Sequence, residues 1–222
     1  MKHLKYQSLG YVQMEPREFD PAKKHPALIF LHGAGTRGSD LSMVEDNPFF
    51  KDVAQLERFP FVVFAPQCHE DTWFDLFEQL IGFAGMVREL DYVDQNRVYL
   101  IGASMGGYGT WQLAMSRPDW FAAIVPICGG GMYWNAGRLK KVAVWAFHGA
   151  KDNCVLPEES QKMVASAQKA GCGAKLTIYP EAAHNAWDDT YLNQQVFDWM
   201  LEHSAQGEAA AKTQLNGSSI YG

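Results

Sequence analysis

Gly102-Ala103-Ser104-Met105-Gly106 follows the apolar run Val98-Tyr99-Leu100-Ile101 and precedes a helix-like stretch that begins at Met105. A Gly-x-Ser-x-Gly in that position forces a serine onto a sharp turn between a buried strand and a helix, so that its hydroxyl projects from the sheet edge. The flanking glycines answer a steric demand, because side chains at 102 and 106 would collide with backbone where strand and helix pack closely. A glycine-rich connection with a capping serine is the plainer alternative, and the rest of the chain decides between the two.

The 222 residues are 47% hydrophobic and 20% charged, a composition that builds a real core. At this length an α/β chain forms one domain, expected here over residues 1–204, with 205–222 as a low-complexity tail of Ala, Gly, Ser and Gln. The net charge of −6 and the lack of a basic stripe argue against nucleic acid as a partner. No stretch reaches the length of a membrane span, and Met1–Tyr6 lacks the apolar core of a signal peptide, so a cytoplasmic protein is expected. Composition is silent on oligomeric state. Cys68, Cys128, Cys154 and Cys172 stand far apart with no Cys-x-x-Cys, so neither a zinc site nor a disulfide framework is expected. Cys128 and Cys154 read as small buried hydrophobes.

Continuous apolar runs mark strands covered on both faces. They fall at Ala27–Leu31, Phe61–Ala65, Val98–Ile101, Ala122–Ile127, Val142–Phe147 and Ala174–Tyr179. Pro126 should end or bulge its strand early. Helices are expected at Trp73–Leu90, Met105–Arg117, Pro157–Ala170 and Asp188–Glu202. The third is well signposted, with Pro157 at its start, Glu158 and Glu159 in the first turn and Gly171 at its end. Strands alternating with helices predict a three-layer α/β sandwich, a mostly parallel sheet with helices on both faces. The short connection from Ile127 to Val142 leaves no room for a large cap domain.

A lone serine hydroxyl is a poor nucleophile at neutral pH and needs a base, an orienting carboxylate and donors for the oxyanion. Asp152 stands just beyond one buried strand and His184 just beyond the next, in the order Ser104, Asp152, His184. Glu158 is the fallback carboxylate. His184 is selected among the histidines because it stands directly after the last core strand, whereas His203 lies near the chain end. Leu31-His32-Gly33-Ala34-Gly35 follows an early strand, where the backbone N–H of Ala34 can join that of Met105 as an oxyanion hole, with His32 bracing the loop. Gly35, Trp73, Tyr133, Trp134 and Trp187 are the candidates for a substrate pocket.

The same loop contains Gly33-Ala34-Gly35-Thr36-Arg37-Gly38, a G-x-G-x-x-G that must be weighed as a dinucleotide fingerprint. Its context fails. No apolar helix follows Ser39-Asp40, and the next strand ends Ala65-Pro66-Gln67 with no acidic residue for a ribose.

Together these motifs resemble the α/β-hydrolase superfamily, in particular small serine esterases near the dienelactone-hydrolase, polyhydroxybutyrate-depolymerase-like and feruloyl-esterase-like groups. The pieces that match are Leu31–Gly38, Gly102–Trp111, Pro126–Gly131, His148–Asp152 and His184–Trp187. The resemblance implies carboxylic ester hydrolysis through an acyl-serine, without cofactor or metal, on a small-molecule ester. Feruloyl-type esters and peptide-like substrates are its alternatives. Dienelactone hydrolases proper use a cysteine nucleophile, so Ser104 departs from their pattern.

Overall fold

A computed structural model describes residues 1–205. Eight strands form one sheet in the order β1-β2-β4-β3-β5-β6-β7-β8. They are β1 (Lys2–Tyr6), β2 (Leu9–Met14), β3 (His25–Leu31), β4 (Val62–Pro66), β5 (Val93–Ala103), β6 (Ala123–Ile127), β7 (Ala143–Gly149) and β8 (Ala174–Tyr179). From β4 to β8 all neighbours run parallel, while β1 and β2 close one edge antiparallel.

Alternation along the buried strands divides the core in two. Ile29, Phe64 and Leu100 face one layer, which contains Leu80 and Phe83 of α3 (Phe77–Glu89), Trp111 and Met115 of α4 (Met105–Ser116) and Met163 of α5 (Glu158–Lys169). Leu28, Phe30 and Ile101 face the other, built from α1 (Leu41–Glu45), α2 (Pro48–Val53), α6 (Ala186–Tyr191) and α7 (Gln194–Leu201). Phe30 stacks on Phe49 at 4.2 Å between ring centres, and Tyr191 meets both rings edge-on. Each such ring buries a large apolar area, so these contacts anchor the second layer. This is the three-layer α/β sandwich that the sequence predicts.

Several boundaries differ from expectation, each for a local reason. The helix expected from Trp73 starts at Phe77, because Asp75 Oδ2 accepts from both the N–H and the hydroxyl of Thr72 and holds 72–75 in a turn. The last predicted helix is two helices, since the Asn193 side chain caps Gln195 N–H and restarts the chain at α7. A short helix, α1, does follow Asp40, which caps it through Ser42 N–H. Pro126 neither ends nor shifts β6. The strand stays in register with β5, and pairing toward β7 lapses at Val125–Pro126 and resumes at Ile127 opposite Phe147, so the missing N–H costs one rung.

Ala205, assigned by sequence to the tail, is buried and donates its N–H to Asn96 O. The remainder of the predicted tail, 206–222, lies outside the described residues. Among the described residues no helix is long and apolar enough to cross a membrane.

Candidate active site

Ser104 lies between β5 and α4 with φ 56° and ψ −120°, a conformation that L-residues seldom adopt. Such a residue stores about 1–3 kcal/mol of strain and persists only where its surroundings over-determine it. They do so here. Its N–H donates to Ile127 O at 2.8 Å, and its carbonyl accepts from Tyr108 N–H. A Cβ on Gly106 would run into Leu31 O and stand 2.8 Å from His32 O, so only glycine lets α4 start against β3.

Asp152 and His184 arrive from the ends of β7 and β8. Lys151 N–H donates to Ala182 O and Ala150 N–H to Tyr179 O, which ties the two loops together. His184 Nδ1 is 2.7 Å from Asp152 Oδ2, and His184 Nε2 is 2.8 Å from Ser104 Oγ. Asp152 Oδ1 accepts from the backbone N–H groups of Cys154 and Val155. Burial alone would raise the Asp152 carboxyl. The hydrogen bonds from His184, Val155 and Cys154 outweigh that and hold it below the usual carboxylate range, so it is ionised at neutral pH. Glu158 is exposed in the first turn of α5 and does not enter this relay.

The loop after β3 abuts the Ser104 turn. A Cβ on Gly33 would lie 3.6 Å from Ser104 Cβ, and Ala34 begins a 3-10 turn over Ala34–Thr36. Met105 opens α4, so its N–H is one of those a helix leaves unpaired. His32 is fully buried behind this loop. Cys68 N–H donates to its Nε2, so the proton sits on Nδ1 and is donated to Gly33 O at 2.7 Å. Burial pushes His32 down to about 4, and the Arg37 guanidinium adds to this while the bond to Gly33 opposes it.

That shift carries a testable stability effect. The unfolded chain binds a proton on this ring near 6.5, whereas the folded protein refuses it until about 4. Stability from His32 is therefore whole above about pH 6.5 and is lost as the pH falls toward 4, by about 3 kcal/mol. In urea unfolding the gap between wild type and His32→Gln should narrow by that order between pH 7 and pH 4.5. A gap that stays constant would contradict the assignment.

The predicted pocket residues part company. Trp187 packs edge-on against the His184 ring, centroids 5.3 Å apart. Tyr133 and Trp134 are exposed on a 3-10 stretch, Tyr133–Leu139, and pack on each other. Gly35 is exposed with open space around it. Trp73 is a correction. It is fully buried in the core, with Nε1–H donating to His32 O, so it braces the loop from behind and has no surface to offer a substrate. Cys154 is a second correction, being exposed, because it follows Asp152 in the turn that its N–H helps to close. Tyr108, in the first turn of α4, is half-buried beside the site. Burial raises its hydroxyl, as do the nearby carboxylates of Glu159 and Asp152.

Cys128, Asp152 and His184 bring ligand-type atoms within 4.8 Å of one another. The donor chemistry does not suit a metal. Both imidazole nitrogens of His184 are already engaged by Asp152 and Ser104, so the ring has no free nitrogen to offer while the relay is intact.

Comparison with known proteins places the chain among hydrolases. The chain is 23% identical over 220 aligned positions to dipeptidyl-peptidase 5 of Porphyromonas gingivalis, an alignment covering 76% of this chain and 32% of that protein. It thus spans about a third of the length of that curated relative. Among solved structures it is similar to a thermostable esterase, with 32% identity, a TM-score of 0.81, and coverage of 91% of this chain and 62% of that one. It also shares its fold with a ferulic acid esterase at 16% identity and a TM-score of 0.69, covering 90% and 96% of the two chains. The fold is that of the α/β-hydrolases. The sequence pattern of the prolyl oligopeptidase family matches residues 64–136 and 131–207, and the chain belongs to that family.

Proposed function

We propose that this protein is a serine hydrolase that cleaves soluble carboxylic esters with short or compact aromatic acyl groups. The observation that carries the reading is the unbroken hydrogen-bond relay from Asp152 through His184 to Ser104 Oγ, on a serine held in a strained turn. In this reading His184 Nε2 takes the Ser104 proton as Oγ attacks the ester carbonyl carbon. The negative charge then develops on the carbonyl oxygen, facing the N–H groups of Ala34 and Met105. Asp152 holds the ring with its proton on Nδ1 and stabilises the imidazolium. Collapse of the tetrahedral adduct breaks the bond to the alkoxide, which leaves with the proton from His184. Water, activated by the same ring, releases the acid from Ser104.

The size of the acyl group follows from the connection between β6 and β7. It carries only the 3-10 stretch Tyr133–Leu139, which packs toward α5, so it supplies no helical cover for a long chain. Aromatic acyl groups would rest against Trp187 or the Tyr133–Trp134 pair. Discrimination should be modest, because each methylene in an apolar pocket is worth about 1–3 kcal/mol.

A peptidase is the second reading, favoured by the family and by the dipeptidyl-peptidase relative. Turnover of p-nitrophenyl esters of increasing chain length and of methyl ferulate, measured beside dipeptidyl p-nitroanilides, separates the two. The ester reading expects the highest kcat/KM on a short or aromatic ester, with ordinary saturation and no jump at the solubility limit. Faster cleavage of the anilides would establish the peptidase, and an interfacial jump would contradict the open cleft.

A further inference from the structure

Ala34, whose N–H is the proposed oxyanion donor of the loop after β3, stands between two glycines. Gly33 and Gly35 carry no Cβ to restrict their torsions, and a Cβ on Gly35 would meet open space. Left to themselves, the peptide planes on either side of Ala34 could turn over. The N–H that must meet the ester oxygen would then turn with them.

A peptide is planar and trans, so holding its carbonyl oxygen on one side aims the N–H of the same plane to the other. The plane before Ala34 is held at Gly33 O, which accepts from His32 Nδ1 at 2.7 Å and from Thr36 N–H at 3.2 Å. The plane after it is held at Ala34 O by one residue. Arg37 donates there twice, from Nε at 3.0 Å and from its backbone N–H at 3.3 Å. The same guanidinium donates from Nη1 to Asp71 O at 2.9 Å. Arginine can serve both acceptors at once because its planar head carries five N–H donors in a fixed fork.

Asp71 O is a fixed post. It belongs to the segment after β4, which the buried Trp73 fastens to His32 O. Two further bonds join that segment to the loop, Gly38 N–H to Cys68 O and Gln67 Nε2–H to Thr36 O. Among the described residues, Arg37 is the one side chain that donates to the Ala34 carbonyl. The Asp71 carboxylate is 3.9 Å from Nη1 and 98% exposed, so the ion pair contributes little. The arginine holds two main-chain carbonyls. This also gives the G-x-G-x-x-G of residues 33–38 a use other than a dinucleotide.

We propose that Arg37 is a positioning residue for the proposed hydrolysis. Its guanidinium clamps Ala34 O to Asp71 O, so that the turn cannot flip and the Ala34 N–H is aimed before negative charge develops on the ester oxygen. A donor set in place beforehand costs no reorganisation at the moment of reaction. Arg37 acts through the loop and not on the ester.

The inference rests on the serine-hydrolase reading, and the test separates the two. Steady-state kinetics on p-nitrophenyl acetate compares Arg37→Ala, Arg37→Lys and Ser104→Ala. Arg37→Ala should lower kcat about 10–100-fold, the scale of a mis-aimed donor, with KM within about twofold of wild type. Arg37→Lys keeps the charge and loses the fork, so its kcat should fall between the other two. Guanidinium ion at tens of millimolar should restore several-fold of the activity of Arg37→Ala, against sodium chloride at the same ionic strength. The side chain is 43% exposed, so both variants should melt close to wild type. If the alanine variant unfolds, Arg37→Lys carries the comparison.

A kcat for Arg37→Ala within about twofold of wild type overturns the proposal. So does a loss carried by KM, which would make Arg37 a binding group for the ester. A loss that neither lysine nor guanidinium relieves would mark a merely structural role and overturns it too. Wild-type turnover by Ser104→Ala removes the hydrolase reading, and the use of the clamp falls with it. An inactive Ser104→Ala beside an unimpaired Arg37→Ala overturns only the present inference.

Discussion

Replacing His184 by alanine should lower kcat on a short-chain ester by about 10³-fold or more. The ring is the only group within hydrogen-bond reach of both Ser104 Oγ and Asp152 among the contacts of the described residues. Without it the Ser104 proton has no acceptor and the leaving alkoxide has no donor. Asp152→Asn should also lose a large factor. The amide can present its N–H to Nδ1, which would place the ring proton on Nε2 and face it toward the serine. KM should change little in either variant, because both groups act on the Ser104 proton during attack. Glu158→Gln, at the exposed start of α5, should keep wild-type turnover. Steady-state kinetics on the three purified variants checks this. An inactive Glu158→Gln beside an active Asp152→Asn would move the acid to residue 158.

Gly106→Ala should be the most damaging single methyl in the chain. The new Cβ would occupy the space of Leu31 O, and Leu31 sits fully buried in the middle of the sheet, paired with Gly102 of β5. Neither backbone can withdraw without breaking the β3–β5 ladder or lifting α4 off it. Overpacking of that kind commonly costs about 1–3 kcal/mol when side chains can yield. Here two backbones meet, and a cost above about 4 kcal/mol is expected. Against a total stability of about 5–15 kcal/mol, the variant should be largely insoluble or unfolded. Gly35→Ala is the control, since its Cβ would meet open space, and it should melt within a few degrees of wild type. Thermal unfolding of both variants decides the matter. A Gly106→Ala that melts like wild type would mean that strand and helix are not packed as described.

The strands that carry the site were legible because they are buried on both faces and therefore continuously apolar. Ala174–Tyr179 was placed to the residue. The β1–β2 hairpin was not, for two reasons. Four of the five residues of β1 are exposed, so there is no apolar face to read. Its turn also uses Gln7 at φ 53°, where glycine or asparagine would have signalled it. The helices α1 and α2 are too short for periodicity to detect. Their capping residues, Asp40 and Asn47 with Pro48 behind it, were the available signal.

Within the candidate site, the Gly-x-Ser-x-Gly turn picked out Ser104 and strand order picked out Asp152 and His184, and the structure brings these three side chains into one relay. Burial was the limit. Nothing in the local sequence separates a tryptophan that faces a cleft from one that braces a loop, so Trp73 and Trp187 read alike until packing distinguished them. Arg37 was legible only as part of a glycine-rich loop, because its partners Ala34 O and Asp71 O are main-chain atoms.

The most direct test of the account is covalent labelling by a fluorophosphonate, which phosphonylates an activated serine and mimics the tetrahedral adduct. Intact-mass analysis should show one label per chain, and peptide mapping should place it on Ser104. Ser104→Ala should take up none and lose esterase turnover while keeping the wild-type melting temperature. A label on any other serine, or wild-type turnover by Ser104→Ala, would contradict the account.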